Sequence, residues 1–293
     1  MRFLVKLSVI PWLLSFFLIG ACSTLKPQPA NEIQNEIQSD GNLIHYEVQG
    51  SSDQTLLFIH GWSNNLHVWD EQIKVFSENY RVVAVDLPGF GASKDNRHAW
   101  TMESFGADVA AVINHLDLDQ VILVGFSMGG PVSIETAKQV PGKIRGIVLV
   151  DTIQNPDQTY SDEFIASLTA AFMDMVTQPT LEKVRPFFRT QQNDLGNRYI
   201  AMISDVPKIG WNESLQNCLT WLNDACVEAI QDLHMPIVAI NSDQHPTDVD
   251  AFRKYNPYFK ARIIQGVNHV VFWEAPEQFD RYLEESIQDI LGE

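Results

Sequence analysis

Short apolar runs rich in β-branched residues recur along this chain, and most are separated by stretches of helical period. They are Thr55-Leu56-Leu57-Phe58-Ile59, Arg81-Val82-Val83-Ala84-Val85, Val121-Ile122-Leu123-Val124, Gly146-Ile147-Val148-Leu149-Val150, Pro236-Ile237-Val238-Ala239-Ile240 and Ala261-Arg262-Ile263-Ile264. Continuous apolar runs of this length read as strands covered on both faces. Between the first four, Leu66, Trp69, Ile73 and Phe76 fall on one helical face, and Phe105 to Leu116 reads as a second helix. Strand and helix in alternation build a mostly parallel sheet flanked by helices. Leu43 to Val48 alternates and adds a strand, and a helix from about Pro276 to Leu291 closes the chain. Ligands of such sheets bind beyond the carboxyl ends of the strands, where His60, Asp86, Ser127 and Asp151 all lie.

One of those ends carries a chemical signal. Val121-Ile122-Leu123-Val124 runs into Gly125-Phe126-Ser127-Met128-Gly129-Gly130, and Pro131 to Ala137 continues as helix. A strand, a tight turn with serine at its tip and a helix make a nucleophile elbow. The glycines two residues either side of Ser127 let strand and helix pack closely, and the helix N-terminus favours negative charge beside the hydroxyl. Serine needs a base, and the base needs an orienting acid. The elbow predicts both further along, acid before histidine.

After the fifth run comes Asn241-Ser242-Asp243-Gln244-His245-Pro246-Thr247-Asp248, and after the sixth Gln265-Gly266-Val267-Asn268-His269. With His60-Gly61-Trp62, Asp86-Leu87-Pro88-Gly89-Phe90-Gly91-Ala92-Ser93, the elbow and Glu274-Ala275-Pro276, these pieces resemble the α/β-hydrolase superfamily with a helical cap, over about residues 41 to 293. The resemblance implies an α/β-hydrolase fold and a serine hydrolase. Ser127 would be the nucleophile, His269 the base and Asp243 its orienter, with the backbone N–H groups of Trp62 and Met128 as oxyanion hole. The acid is the weak point. Asn241-Ser242-Asp243 lacks the glycine common in relatives and is one residue short, so Asp248 stands second and Asp151 third. His60 is expected to shape its turn, Asp86 to organise its loop, and His245 to lie on the surface.

Thr152 to about Glu228 contains no strand-like run. Phe164, Leu168, Ala171, Phe172 and Met175 recur at helical spacing, as do Leu181, Val184, Phe187 and Phe188, and then Trp211, Leu215, Leu219 and Leu222. Residues 152–228 therefore read as a helical cap, and 41–151 with 229–293 as the core. An unbroken helix would hold Cys218 and Cys226 about 12 Å apart, too far for a disulfide. A break at Asn223-Asp224 would bring them into range, so a bridge and two buried thiols both stand as expectations.

The N-terminus has another character. Arg2 and Lys6 precede a mostly apolar stretch from Phe3 to Ile19, which closes in Leu18-Ile19-Gly20-Ala21-Cys22. A basic start, an apolar middle and small residues before the cut mark an export signal. Cysteine directly after Gly20-Ala21 resembles a bacterial lipoprotein signal, which implies removal of residues 1–21 and palmitate-type acylation of Cys22. Ser23 then implies the outer membrane, with the protein facing the periplasm. Residues 22–40, with Lys26-Pro27-Gln28-Pro29 and the repeat Asn31-Glu32-Ile33-Gln34/Asn35-Glu36-Ile37-Gln38, read as a tether.

A net charge of -17 argues against nucleic-acid partners. Neither C-x-x-C nor H-E-x-x-H occurs, so no metal site and no cofactor are expected. The expected substrate is a small to medium apolar carboxylic ester. The same triad also serves diketone carbon–carbon hydrolysis, lactone opening or peracid formation, and a slow-turnover ligand-binding or signalling protein is the reading from another class.

Overall fold

The computed structural model describes residues 35–94, 99–190, 193–204 and 208–292. The expected signal, Cys22 and the tether up to residue 34 lie outside these residues. From residue 36 the chain is already sheet. β1 (Glu36–Ser39) and β2 (Asn42–Gln49) form an antiparallel hairpin. Asp40 (φ 44°) and Gly41 (φ 81°) make its two-residue turn, where an Asp-Gly pair meets the demand for positive φ. Residues 36–39, expected to belong to the tether, are instead an edge strand of the sheet. The second Asn-Glu-Ile-Gln copy buries Ile37 against the core, which one isoleucine achieves by joining a sheet.

β3 (Thr55–Ile59), β4 (Arg81–Val85), β5 (Val121–Phe126), β6 (Ile144–Val150), β7 (Ile237–Ser242) and β8 (Lys260–Ile264) complete an eight-stranded sheet in the order β1-β2-β4-β3-β5-β6-β7-β8. β2 pairs antiparallel with β4, and every pair from β4 to β8 is parallel. The fold expected from the apolar runs is the fold observed. β3 and β5 are buried at every position, which is why they read as continuous rather than alternating.

The helices α1 (Asp70–Phe76), α2 (Met102–His115) and α3 (Gly129–Gln139) connect the first strands. Thr101 and Ser104 form a reciprocal capping box that starts α2. Between β6 and β7 the described chain is helical: α4 (Asp162–Thr177), α5 (Leu181–Val184), α6 (Asn193–Ser204), α7 (Trp211–Asp224) and α8 (Cys226–Gln231). α9 (Val249–Tyr255) lies between β7 and β8, while α10 (Val271–Glu274) and α11 (Pro276–Leu291) close the chain. Among the described residues no helix is long and apolar enough to cross a membrane.

The helix does break at Ala225, between α7 and α8. Cys218 and Cys226 nevertheless remain separate buried thiols, so the bridge is not formed. Cys218 stays on the α7 face with Leu215, Leu219 and Leu222, whereas Cys226 opens the next helix. Burial pushes both thiols up to about 12, which leaves them protonated and unreactive at neutral pH.

Under the site, Trp69 stacks on Phe272 at 4.3 Å and meets Phe58 at 5.1 Å and Phe126 at 6.2 Å. This aromatic cluster joins β3, β5 and the segment after β8 from beneath. It fixes the backbone from which the functional side chains project.

Candidate active site

Ser127 leaves β5 in the left-handed region, at φ 52°. A non-glycine residue there is strained by about 1–3 kcal/mol and persists only where its surroundings hold it. They do: the Ser127 N–H donates to Val150 O at 3.0 Å, and the Gly130 N–H donates to Ser127 O at 2.9 Å. The turn closes because its glycines have no Cβ. One at Gly125 would lie 2.2 Å from Gly129 O, and one at Gly129 would lie 2.4 Å from Ile59 O.

The Ser127 Oγ–H donates to His269 Nε2 at 3.1 Å, and His269 Nδ1–H donates to Asp151 Oδ2 at 2.7 Å. The carboxylate on His269 is therefore that of Asp151, and the expectation of Asp243 is corrected. Asp151 is buried, with φ 42°, and its other oxygen accepts the Ser242 N–H at 2.7 Å. Register explains the choice. Phe126 pairs with Val150, so Ser127 and Asp151 leave adjacent strands at the same level.

β7, by contrast, continues as strand through Ser242, because no glycine turns the chain after Ile240. Asp243 is still paired to β8, its N–H donating to Ile264 O at 3.1 Å. Its carboxylate accepts the Gly266 N–H at 3.1 Å and holds Arg189 Nη1 at 3.2 Å. Asp248 serves as the N-cap of α9, accepting the Ala251 N–H at 2.9 Å.

The histidine loop is gripped from the cap, which the sequence did not signal. Arg189 bridges Asp243 and Asn268, its Nε donating to Asn268 Oδ1 at 3.2 Å. Glu274 accepts the backbone N–H groups of Arg189 and Thr190 at 2.7 and 2.8 Å, and that of Asn268 at 2.6 Å. The His269 ring lies between Phe126 at 4.8 Å and Phe187 of the cap at 5.6 Å. Arg189 is thus a positioning residue for the residue after Asn268. Arg189→Ala is expected to lower kcat/KM roughly tenfold, since small misplacements of a reacting group are costly. Steady-state kinetics on folded protein checks it, and an unchanged value contradicts the role.

His60 and Asp86 shape the loops beside the serine. The buried His60 donates from Nδ1 to Gly61 O at 2.7 Å and accepts the Leu87 N–H on Nε2 at 3.0 Å. Asp86 accepts the N–H groups of Leu66 at 2.7 Å and Ala92 at 2.8 Å. Gly61 sits against Ser127, a Cβ there lying 3.0 Å from Ser127 Cβ, so Trp62 follows directly beside the hydroxyl. The Trp62 indole donates to Trp211 O at 2.8 Å and stacks on Phe172, which ties this loop to the cap.

Burial holds the His60 pKa below its ordinary 6.5, outweighing Asp86 and Gly61 O, which raise it. The unfolded chain therefore takes up a proton that the folded chain refuses. Stability from this group is complete above the ordinary value and falls as pH drops below it, by at most about 1.4 kcal/mol per pH unit. Urea midpoints between pH 7 and 5.5 are expected to slope less in His60→Asn than in the native chain. Equal slopes contradict the assignment.

Ser127, His269, Asp151, Trp62 and Met128 all border a cavity of about 1470 Å³ between the strand ends and the cap. Of the expected set, the structure brings together Ser127, His269, Trp62 and Met128, with Asp151 in the place given to Asp243. His245 is exposed at the cavity rim.

A profile of the alpha/beta hydrolase fold matches residues 54–276. A putative non-heme chloroperoxidase from Synechocystis is 36% identical over 82% of this chain and 93% of its own length. A 3-oxoadipate enol-lactonase from Acinetobacter baylyi is 22% identical over 87% of this chain and 97% of its own length. Four further curated relatives are matched over only 35%, 41%, 53% and 42% of their length, so the chain spans about half or less of each. Among solved structures, an esterase from Exiguobacterium antarcticum shares the fold with a TM-score of 0.76 at 19% identity, covering 87% of this chain and 100% of its own.

Proposed function

Because the chain belongs to the alpha/beta-hydrolase fold family, we propose that it is a serine hydrolase that cleaves carboxylic esters through an acyl-enzyme. One observation carries the reading: the hydrogen-bonded series Ser127 Oγ, His269 Nε2, His269 Nδ1, Asp151 Oδ2, at 3.1 and 2.7 Å, opening on the large cavity.

His269 removes the Ser127 proton as Oγ attacks the ester carbonyl. The backbone N–H groups of Trp62 and Met128 take the developing oxyanion, and the N-terminus of α3 adds a favourable potential. The tetrahedral intermediate collapses with loss of the alcohol, whose oxygen receives the proton from His269. A water, deprotonated by the same nitrogen, then attacks the acyl carbon and releases the acid and Ser127. Asp151 keeps the proton on Nδ1 and stabilises the imidazolium. A lactone is an internal ester and meets the same groups, which accommodates the enol-lactonase relative.

Hydrolysis of p-nitrophenyl butyrate by the native chain and Ser127→Ala tests the reading. The account expects a loss of at least about 10³-fold in kcat; equal rates overturn it. We also retain the lipid anchor on Cys22 as a proposal from the sequence, Gly20-Ala21-Cys22 being its support. Cys22→Ala is expected to move the protein from the membrane pellet to the soluble fraction, and its retention in the pellet contradicts the anchor.

A further inference from the structure

The cavity over Ser127 has two chemically different halves, and they run in different directions. One lies between α4 and α7. α4 carries apolar residues on two faces: Ile165, Met175 and Val176 are buried, while Phe164, Leu168, Ala171 and Phe172 line the cavity. A stripe at i, i+4, i+7 and i+8 is a single helical face. Opposite it, Leu215, Cys218, Leu219 and Leu222 of α7 form the facing wall. The inner end is Phe172, which stacks on Trp62 at 5.9 Å and meets Phe187, itself 5.6 Å from the His269 ring. The outer end is Phe164, 45% exposed and stacked on Tyr160 at 5.2 Å. Phe172 and Phe164 are eight residues apart, about 12 Å along the helix, the reach of a straight chain of roughly eight to ten carbons.

The other half is polar. Gln154, Asn155 and Gln158 come from the loop after β6, and Gln244 and Thr247 from the loop after β7. The Asp248 N–H donates to Gln154 O at 2.8 Å and joins the two loops into one wall. His245, Asp248 and Asp250 border the same wall, the Asp248 carboxylate facing the Ala251 N–H that it caps. Lys183 also borders the cavity, but Asp174 holds it in an ion pair at 2.8 Å. This wall offers amide donors and acceptors to hydroxyl groups and repels anions.

We propose that the substrate is a medium-chain acyl ester of a small uncharged polyol, with the acyl chain between α4 and α7 and the polyol against the amide wall. This rests on the serine-hydrolase reading above. The orientation follows from the proton. The leaving oxygen takes its proton from His269, and the two polar loops follow β6 and β7, the strands nearest β8 and the His269 loop. The acyl group stays bonded to Ser127 Oγ, at the head of α3, beneath the apolar slot. Water then replaces the polyol at the acyl carbon, giving one fatty acid and one polyol per ester cleaved.

Three series of substrates test this on the full chain: glycerol monoesters from C2 to C16, the C10 ester of glycerol 3-phosphate, and decyl acetate, which carries the apolar chain on the alcohol. The expected kcat/KM peaks at C8–C10, at least tenfold above C2 and C16. The expected values for the phosphate-bearing ester and for decyl acetate are at least tenfold below glycerol monodecanoate. In Leu168→Trp, which fills the slot halfway along, the C10-to-C4 ratio is expected to fall at least tenfold, with rates referred to active sites titrated by a short fluorophosphonate. A maximum at C2, equal turnover of the phosphate ester, or preference for decyl acetate overturns the proposal. If no monoester is turned over while the fluorophosphonate still labels Ser127, the substrate assignment falls and the serine hydrolase stands. If Ser127 is not labelled, the underlying reading falls with it.

Discussion

Asp151→Asn is expected to lower kcat on a simple ester by about 10³- to 10⁴-fold, and Asp243→Asn by less than about tenfold. The amide at residue 151 would still occupy the space beside His269 but would favour the wrong tautomer, with the proton moved off Nδ1. Burial sharpens the effect. Asp151 is 3% exposed, and its second oxygen is already taken by the Ser242 N–H, so no water replaces the lost acceptor. At Asp243 the amide still accepts the Gly266 N–H and one hydrogen bond from Arg189, so the histidine loop keeps most of its support. Steady-state kinetics of both variants decides the matter, and the reverse ranking would return the acid to the loop after β7.

The second large effect falls on the elbow itself. Gly125→Ala places a methyl group 2.2 Å from Gly129 O and 2.3 Å from Ser133 Oγ. The first of these is backbone and cannot swing away, so strand and helix must part. The cost is about 3 kcal/mol or more, a fall in Tm of roughly 6–12 °C or more for a chain of this size. Separating β5 from α3 also moves Ser127 away from His269, so activity is lost in whatever folds. Gly142→Ala provides the contrast, since a Cβ there meets nothing within 4 Å. Thermal melts of the two variants are expected to differ by most of that shift. Similar melts contradict the account of the turn.

The parallel sheet was legible in the sequence because its strands are buried on both faces and appear as unbroken apolar runs. Ser127 and His269 were legible for a related reason: each follows such a run within a short turn. Asp151 satisfies the same rule, standing directly after Val150, and so does Asp243, directly after β7. What decides between them is register, and register is not written in either run alone. Phe126 opposite Val150 sets Ser127 and Asp151 side by side, while the extra strand residues Asn241 and Ser242 carry Asp243 past the site. The hairpin at Glu36–Ser39 was hidden inside a polar repeat because only Ile37 is buried there. The Arg189 latch was hidden because its partners, Asp243, Asn268 and Glu274, lie far away in sequence and meet only when the cap folds onto the core. Cys218 and Cys226 show the limit of spacing arguments: the helix breaks beside Asn223-Asp224, and the two buried thiols still stay unbridged.

The central claim is that Ser127 is a nucleophile activated by His269. Its most direct measurement is mass spectrometry of the protein after reaction with a fluorophosphonate, which phosphonylates an activated serine. The account predicts one adduct, located on Ser127 of the native chain, and none on Ser127→Ala or His269→Ala under the same conditions. An adduct on another residue, or equal labelling of the native chain and Ser127→Ala, would contradict it.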